Sequence, residues 1–381
     1  MSTVHFIHTS DIHLDTSFSG SGLPPRLGER KRAAIRGTFR RILDDARETG
    51  VQLVFIAGDL FEHDRVTPDS VEFLKQQLAG LEKARVFIAP GNHDPFIHGS
   101  PYWAEDWPPN VHIFQEEMFQ SVELADLGVR VTGFGFTHNR LEERLFLKLP
   151  VLTGDLINIV VAHASDVGRA PSGKVKHGPF TIDEVAGKNV QYCALGHYHQ
   201  QHEVENSIDS TQVWYSGIPE GRGWDEEGAC GYLFGEINEG KVRVEGRTRN
   251  RYPLRTLSLN CDGFSSREQI VDAILRQRGS AFDAETILRI RFEGTMDSKV
   301  DLSVSDLEER LAGEAQYFVW QDETQPALDF EAISKDRTLQ GRFVRLLNER
   351  IASAAGEERA VLERARLYGV QALMGRAVRL R

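Results

Sequence analysis

The chain has 381 residues and a formal net charge of −11, with 40% hydrophobic and 27% charged residues. This balance is typical of a globular protein and excludes a disordered or fibrous chain. The length predicts a catalytic domain of about 250 residues with one or two smaller units. The acidic charge argues against a general nucleic-acid coat, although a local basic surface can still hold phosphates.

The N-terminus has no basic region followed by a continuous apolar run, and no stretch reaches the length of a membrane span. We therefore expect a cytoplasmic protein without a membrane partner. The three cysteines, Cys193, Cys230 and Cys261, are odd in number and widely spaced. We expect them to be reduced and packed rather than paired.

Strand and helix patterns alternate from the start of the chain. The β-rich run Val4–Thr9 predicts a strand, and apolar residues at helical spacing in Glu29–Thr49 predict an amphipathic helix with a basic side. The next predicted elements are strand Leu53–Ala57, helix Ser70–Leu81, and strands Arg85–Ala89, Val129–Gly133, Ile157–Ala162 and Tyr192–Leu195. This order favours a layered α/β sandwich.

Polar clusters follow five of these strands. They are Asp11-Ile12-His13, Gly58-Asp59, Gly91-Asn92-His93-Asp94, His163 and Gly196-His197-Tyr198-His199. On an extended segment, residues two apart such as Asp11 and His13 project from one face and can hold one cation. Each cluster alone is weak evidence for a cation site, but together the clusters supply three carboxylates, one amide and five imidazoles. This set predicts a site for divalent cations at the carboxyl ends of the strands.

In this order, the five clusters resemble the calcineurin-like metallophosphoesterase signature over roughly residues 4–200. The resemblance implies an α/β fold, a β-sandwich flanked by helices. Within that superfamily, four segments of the sequence resemble the Mre11/SbcD repair-nuclease branch, particularly its bacterial YhaO-like members. The segments are Phe6–Asp15, Gly58–Phe61, Val161–Ala164 and Tyr215–Gly217.

The resemblance also implies roles for these residues. One cation would be held by Asp11, His13, Asp59 and His199, and the other by Asp59, Asn92, His163 and His197, with Asp59 as the bridge. Family likeness favours Mn²⁺, and the oxygen and nitrogen ligands also tolerate Fe or Zn. The imidazole of His93 would protonate the leaving 3′ oxygen, and Asp94 would orient it.

The motifs depart from their relatives at one position. The repair-nuclease branch often has a His three places after the bridging Asp, whereas Glu62 stands there and His63 follows. This puts substrate steering and exonuclease efficiency in question. The tyrosine that a purple acid phosphatase would carry in its GDxxY segment is absent from Gly58–Glu62, which disfavours that subfamily.

Three segments outside the motifs are candidates for substrate contacts. On the basic side of helix Glu29–Thr49, Arg36 and Arg40 could bind DNA phosphates, or form a solvated face. The aromatic residues of Tyr102–Pro109 could stack on unpaired bases or simply pack. Loop Gly217–Gly228 borders the expected cleft and has no assigned role. A structural or surface interpretation is given to His5, His8, His98, His112, His138, His177 and His202.

The chain divides into a catalytic domain at 1–250, a small α/β cap domain at 251–325 and a helical tail at 326–381. The cap is predicted from strand Leu254–Leu259, helix Arg267–Arg276 and strand Thr286–Phe292. In the tail, one helix side carries Leu339, Phe343, Leu346, Leu347 and Ile351, and Gly356 separates a second helix. Residues 335–381 carry a net charge of +6. The tail could pack on its own cap, or dock on an SbcC/Rad50-like coiled-coil ATPase as the resemblance implies; the resemblance also admits a homodimer.

The sequence therefore predicts a metal-dependent DNA nuclease that hydrolyses phosphodiester bonds in double-strand-break repair. The first alternative is a nucleotide or small-molecule phosphodiesterase or phosphatase with the same dinuclear site. The second is a DNA-end-binding subunit whose metal site does not turn over. The intact set of ligands argues against this last reading.

Overall fold

A computed structural model describes residues 3–19, 22–168, 175–205, 209–297, 300 and 302–375. The chain forms two compact units. The first contains Met1–Thr256, Gly279–Arg289 and Gly313–Val319, and the second contains Leu257–Arg278, Ile290–Ala312 and Trp320–Arg381. The domain boundaries placed at 250 and 325 stay a prediction, and positions 376–381 of the predicted tail lie outside the described residues.

The described part of the chain contains both helices and strands. The helices are α1 (Pro25–Thr49), α2 (Pro68–Ala79), α3 (Pro101–Ala104), α4 (Arg267–Leu275), α5 (Val304–Arg310), α6 (Phe330–Lys335), α7 (Leu339–Ser353) and α8 (Gly356–Leu373). The strands are β1 (Val4–Thr9), β2 (Leu53–Ile56), β3 (Arg85–Ile88), β4 (Val111–Ile113), β5 (Gln120–Leu124), β6 (Val129–Gly133), β7 (Ile157–His163), β8 (Tyr192–Gly196), β9 (His202–Val204), β10 (Gln212–Tyr215), β11 (Gly231–Asn238), β12 (Lys241–Thr248), β13 (Leu254–Asn260), β14 (Ile287–Glu293), β15 (Thr295–Met296), β16 (Tyr317–Asp322) and β17 (Gln325–Pro326). None of the described helices is long and apolar enough to cross a membrane.

Two six-stranded sheets form the framework of the first unit. Their strand orders are β12-β11-β1-β2-β3-β4 and β5-β6-β7-β8-β10-β9. Strands β1 to β4 run parallel, as do β6, β7, β8 and β10. Further along the chain are a sheet of order β13-β14-β16 and the pair β15-β17. The predicted α/β sandwich is confirmed.

Alternation along the strands places one core between the two large sheets. In β1, Phe6 points into this core together with Phe55 of β2 and Val161 of β7. The intervening residues Ile7 and Val54 belong to a second core on the opposite face of their sheet. Because successive side chains on a strand point to opposite faces, apolar residues on both faces of these strands enter a core. Both faces of the central strands are therefore covered.

Helix α1 covers the outer face of the first large sheet. It begins at Pro25, four residues before the predicted start, because proline suits the first helical turn, where its missing N–H is not needed. It ends at Gly50, which adopts φ 63° and closes the helix with hydrogen bonds to the last carbonyls. Its apolar stripe, which includes Phe39 and Ile42, is buried in the core. The helix thus anchors the loop that follows β1.

In the second unit, α7 and α8 pack together through a small apolar cluster. Its buried members are Leu347, Ile351 and Leu362. Two of the apolar residues predicted on one side of α7, Leu339 and Leu346, are outside the cluster and are 66% and 54% exposed. Residue 346 is only one position from Leu347, about 100° around the helix, so both cannot face a narrow seam.

A buried ion pair ties α1 to the loop after β10. The Lys31 ammonium donates to the Glu220 carboxylate and, at 3.0 Å, to the Tyr252 carbonyl. Thr38 donates to the other carboxylate oxygen at 2.8 Å. Both charged side chains are almost fully buried. Loss of one partner would leave an uncompensated charge in the interior.

We expect Lys31→Met to lower the free energy of unfolding by about 3–5 kcal/mol, the usual cost of breaking a buried pair from one side. Urea unfolding of the full chain measures it. The control is Arg36→Met on the same helix, since Arg36 pairs with Asp69 at the exposed surface and should matter far less. Equal losses in the two variants would contradict the expected role of the buried pair.

Candidate metal centre

The five predicted clusters lie at the carboxyl ends of β1, β2, β3, β7 and β8. The backbone joins the first loops, because Asp11 N–H donates to the Gly58 carbonyl at 3.0 Å and His13 N–H to the Asp59 carbonyl at 2.9 Å. The two sheets meet through His163, whose Nδ1–H donates to the Ala57 carbonyl at 2.9 Å. The structure thus brings the predicted clusters together at one place.

Four of these residues adopt left-handed backbone angles. The φ values are 52° for Asp11, 51° for His13, 52° for Asp59 and 104° for His197. The expectation that Asp11 and His13 lie on an extended segment is therefore wrong. Non-glycine residues rarely adopt such angles, and they cluster at functional sites, where surrounding contacts hold the strain.

Two glycines allow the loops to approach closely. A Cβ at Gly196 would lie 1.9 Å from the Ala57 carbonyl oxygen, and one at Gly91 would lie 2.4 Å from Asp59 Oδ1. Any larger residue would push the strands or the carboxylate apart. Gly196 therefore removes side-chain bulk where the two loops approach each other.

His13 presents one ring nitrogen to the centre of the site. Its Nδ1–H donates to Glu62 Oε1 at 2.9 Å, so Nε2 carries the lone pair. This Nε2 is buried and has no hydrogen-bond partner among the described residues. It lies 3.8 Å from Asp59 Oδ2 and 4.0 Å from Asp11 Oδ1. Burial lowers the pKa of His13 to about 4, so the ring is neutral and its lone pair is free.

His199 is held in the same way. Its Nδ1–H donates to Glu226 Oε1 at 2.6 Å, and its Nε2 lies 3.6 Å from Asp11 Oδ1. Arg222 Nη2 donates to the same Glu226 oxygen at 2.9 Å, and Arg222 Nη1 lies 3.9 Å from Glu62 Oε1. The loop left without a role by the sequence therefore supplies Glu226, which fixes the tautomer and direction of His199.

The second half of the site is built around His163. Its Nε2 lies 3.4 Å from Asp59 Oδ2, 3.1 Å from Asn92 Oδ1 and 3.2 Å from His197 Nδ1. Since the proton of His163 is on Nδ1, its Nε2 lone pair faces the Asp59 and Asn92 oxygens, which are also acceptors. Burial lowers the pKa of His197 to about 3, which keeps that ring neutral as well.

Asp59 stands between the two halves. Its Oδ1 accepts the His93 backbone N–H at 2.9 Å, while its Oδ2 faces the Nε2 atoms of both His13 and His163. Although burial opposes ionisation, the surrounding imidazoles hold the pKa of Asp59 below its ordinary value. One anionic oxygen is therefore presented to both halves.

This arrangement fits two divalent cations. Ligand atoms of Asp11, His13 and His199 lie within 4.8 Å of one another, as do those of Asp11, Asp59 and His163. Converging lone pairs, together with a buried Nε2 that has no donor to meet, are costly unless a positive charge satisfies them. Carboxylate, amide and imidazole ligands without thiolate suit Mn, Fe or Zn.

His93 borders the centre and is held by Glu62. Its Nδ1–H donates to Glu62 Oε2 at 2.7 Å, the oxygen not used by His13. Burial would lower the pKa of His93, but the Glu62 hydrogen bond and the Asp59 charge outweigh it and raise the pKa to about 9. The ring is 42% exposed. A protonated imidazole thus lies at the edge of the metal centre.

The prediction that Asp94 orients His93 is wrong. The Asp94 carboxylate is fully buried and accepts the backbone N–H groups of Asp59, Leu60 and Gly91 at 2.9, 2.7 and 2.7 Å, and the Tyr102 hydroxyl at 2.8 Å. Each of its oxygens already has two donors, so Asp94 shapes the loops that carry the ligands. Glu62 is the residue that holds His93.

Arg36 and Arg40 are not brought into the cleft. Arg36 pairs with Asp69 on α2 and lies 4.2 Å over the Phe73 ring, and Arg40 is exposed on α1. Neither belongs to the described lining of the cleft of about 790 Å³ beside the metal centre. Their assignment as DNA contacts stays a prediction.

The cleft also contains residues that sequence reasoning had set aside as structural. His177 and His202 line it together with Tyr198, and the His177 ring contacts that of His197 at 5.4 Å. No spacing signal in the sequence marked them. Of the aromatic segment Tyr102–Pro109, Tyr102 is buried and Trp103 is 57% exposed.

We expect Glu226→Gln to weaken Mn²⁺ binding by about 10- to 100-fold, the usual effect of losing a partner that orients a ligand. Calorimetric titration of the metal-free protein measures it. The neighbouring Glu227→Gln is the control, because Glu227 bonds Thr256 and Arg289. Unchanged Mn²⁺ affinity in Glu226→Gln would contradict the orienting role.

With this geometry in place, family membership follows directly. The chain belongs to the calcineurin-like phosphoesterases, whose family model matches residues 4–201, the part that carries all five clusters. Calcineurin-like phosphoesterases act on phosphoester bonds, and the residues of this chain could hold a dinuclear metal site.

Two curated proteins and one solved structure illustrate the range of relatives. The chain is 29% identical over 246 residues to the uncharacterized metallophosphoesterase YhaO of Bacillus subtilis, a match covering 63% of this chain and 59% of YhaO. It is 25% identical over 375 residues to the DNA double-strand break repair protein Mre11 of Methanopyrus kandleri, covering 89% of this chain and 77% of that protein. A dimetal phosphatase from Danio rerio aligns with 65% of this chain and 96% of its own, at 12% identity and a TM-score of 0.41.

Proposed function

We propose that the chain is a metal-dependent nuclease that hydrolyses DNA phosphodiester bonds, and that it works in double-strand-break repair. One observation carries the proposal: imidazoles held through their Nδ1 atoms converge with Asp11 and Asp59 at a site that fits two cations, with the His93 imidazole at its edge. The similarity to Mre11 supports the choice of DNA, because it extends over 89% of the chain.

The proposed ligands are Asp11, His13, Asp59 and His199 for one cation, and Asp59, Asn92, His163 and His197 for the other. We assign Mn²⁺ to both positions. When bound, the two cations would polarise the phosphate and make water a better nucleophile. The chain's own task is to point the imidazoles at the centre, which Glu62, Glu226 and the Ala57 carbonyl do through hydrogen bonds to Nδ1 of His13, His199 and His163.

His93 is the proposed general acid. Its Nδ1 is engaged by Glu62, which leaves Nε2 to protonate the oxygen that departs from phosphorus. The raised pKa keeps the ring charged at neutral pH. Glu62 thus orients His13 with one carboxylate oxygen and the proposed acid His93 with the other. Its place in the sequence, where the related nucleases often carry His, changes how His93 is held.

We also propose that the basic helical tail binds a partner, a coiled-coil ATPase of the SbcC/Rad50 type. The packed pair α7 and α8 leaves Leu339 and Leu346 exposed, and residues 335–381 are strongly basic. Exposed apolar side chains on a basic helix suit an acidic, amphipathic partner helix. A homodimer and a cytoplasmic location belong to the same proposal.

One observation favours a second function, hydrolysis of nucleotides or other small phosphodiesters. In the described lining of the cleft, Lys176 is the single basic side chain apart from histidine, beside Asp225 and Glu226. A path for a long DNA backbone normally offers several cations. A small diester needs fewer.

The two functions are separated by comparing substrates at fixed Mn²⁺. We would measure kcat/KM for linear duplex DNA, a single-stranded oligonucleotide and thymidine 5′-(p-nitrophenyl phosphate). The nuclease proposal predicts cleavage of DNA, whereas turnover of the small diester without polynucleotide cleavage would establish the second function. Failure to hydrolyse any of the three would refute both.

A further inference from the structure

Three aromatic rings form a layer next to the metal centre. Tyr198 and His202 lie 4.7 and 4.9 Å from the Tyr215 ring, tilted from it by 33° and 22°. Their own centroids are 6.3 Å apart with an interplanar angle of 20°. Tyr198 and His202 therefore both pack against the Tyr215 ring and lie close to each other, so the three rings form one aromatic cluster.

Hydrogen bonds hold the layer in place. The Tyr198 hydroxyl donates to the Asp166 carbonyl at 2.8 Å, and the Tyr215 hydroxyl donates to the Ala164 carbonyl at 2.8 Å. His202 Nδ1 bonds the Gln200 carbonyl at 2.8 Å, and His202 pairs with Tyr215 across β9 and β10. Tyr215 is fully buried, so the base of the layer cannot shift. Aromatic side chains held in this way lose little conformational entropy when a ligand stacks on them.

The outer rings belong to the cleft of the candidate metal centre. Tyr198 and His202 line the same space of about 790 Å³ as Asp59, Asn92 and His93. Tyr198 also lies between the proposed ligands His197 and His199 in the sequence. Any substrate that places its phosphate at the centre would hold its neighbouring groups close to these rings.

The charge of the cleft limits what those neighbouring groups can be. The described lining offers Lys176 as its sole lysine or arginine, so ion pairs with flanking phosphates supply little affinity. A nucleobase is uncharged, flat and similar in width to the two rings, and it gains affinity from stacking. Nucleobase stacking therefore suits this part of the cleft better than a second phosphate.

We propose that Tyr198 and His202 form a stacking platform for the nucleobase of the nucleotide beside the scissile phosphate. The proposal rests on the proposed function and narrows its substrate to phosphodiesters of nucleotides, in DNA or free. The aromatic segment around Trp103, which the sequence suggested for stacking, is not needed for it. Because stacking uses the face of a base, the platform tolerates all four bases.

The first test uses substrates that differ in one base. Wild-type protein is given two oligonucleotides, one of which carries an abasic tetrahydrofuran residue at the cleaved end. We expect KM to be about tenfold higher for the abasic substrate, within the range that stacking supplies, and kcat to change little. Equal KM values for the two substrates would overturn the platform.

Substitutions in the protein test the platform with the same two oligonucleotides. His202→Leu should remove most of the KM difference between the two oligonucleotides, whereas His202→Phe, which keeps a ring, should retain it. Tyr198→Leu and Tyr198→Phe form a second pair, with bound metal measured in each because the neighbours of Tyr198 are proposed ligands. A KM difference that survives in both leucine variants would contradict the assignment.

Fluorescence provides a readout without turnover. A terminal 2-aminopurine in a single-stranded oligonucleotide should be quenched on binding in EDTA, and the quenching should be lost in His202→Leu. If no phosphodiester is hydrolysed, the proposed function fails while the fluorescence still decides the platform. If hydrolysis is normal but neither KM nor fluorescence depends on the base, the platform alone fails.

Discussion

Replacement of His93 by alanine should lower kcat for DNA cleavage by about 10²–10⁴-fold, the usual contribution of a positioned general acid. Mn²⁺ binding should persist, because the His93 side chain contacts Glu62 rather than the converging ligand atoms. Its backbone N–H to Asp59 is unaffected by the substitution. Single-turnover cleavage and metal analysis on the same preparation measure both quantities.

Substrates with different leaving groups distinguish a loss of acid catalysis from general damage to the site. A p-nitrophenolate group departs without protonation, so His93→Ala should lose much less activity on a p-nitrophenyl diester than on DNA. The control is His98→Ala, an exposed histidine five residues later whose ring lies against Trp103. Loss of Mn²⁺ from His93→Ala, or equal losses on both substrates, would refute the general-acid role.

Replacement of Asp59 by asparagine should abolish cation binding at both positions. The change keeps the shape of the side chain and removes its charge from Oδ2, the atom that faces both His13 and His163. Asp59 is the one residue that the proposal assigns to both cations. Asp64→Asn on the same loop is the control, because its side chain is exposed. Calorimetric titration with Mn²⁺ should give no binding for Asp59→Asn and normal binding for Asp64→Asn.

Much of the fold and the position of the site could be read from the sequence. Val4–Thr9 and Val129–Gly133 were predicted with the ends that β1 and β6 have, because their β-branched and aromatic residues favour strands. The carboxyl ends of parallel strands meet, which is why Asp11, Asp59 and His163 could be placed together before any coordinates. The prediction of one centre depended on this rule rather than on any single motif.

The partners of these residues could not be read in the same way. Glu226 holds His199 from 27 positions away, and Glu62 holds both His13 and His93. Such pairs depend on how loops fold over the sheet edge, and a lone glutamate has no spacing signature. Asp94 was misassigned because adjacency to His93 suggested contact, whereas the tight turn directs its carboxylate to backbone N–H groups.

The central claim is tested most directly by a time course of end-labelled linear DNA cleavage, with and without Mn²⁺, for wild type and Asp59→Asn. A nucleotide diester is included in the same reactions. The account predicts Mn²⁺-dependent cleavage of DNA by the wild type and none by Asp59→Asn. Cleavage without metal, or by Asp59→Asn, would contradict the dinuclear centre, and cleavage of the small diester alone would replace the nuclease with a nucleotide phosphodiesterase.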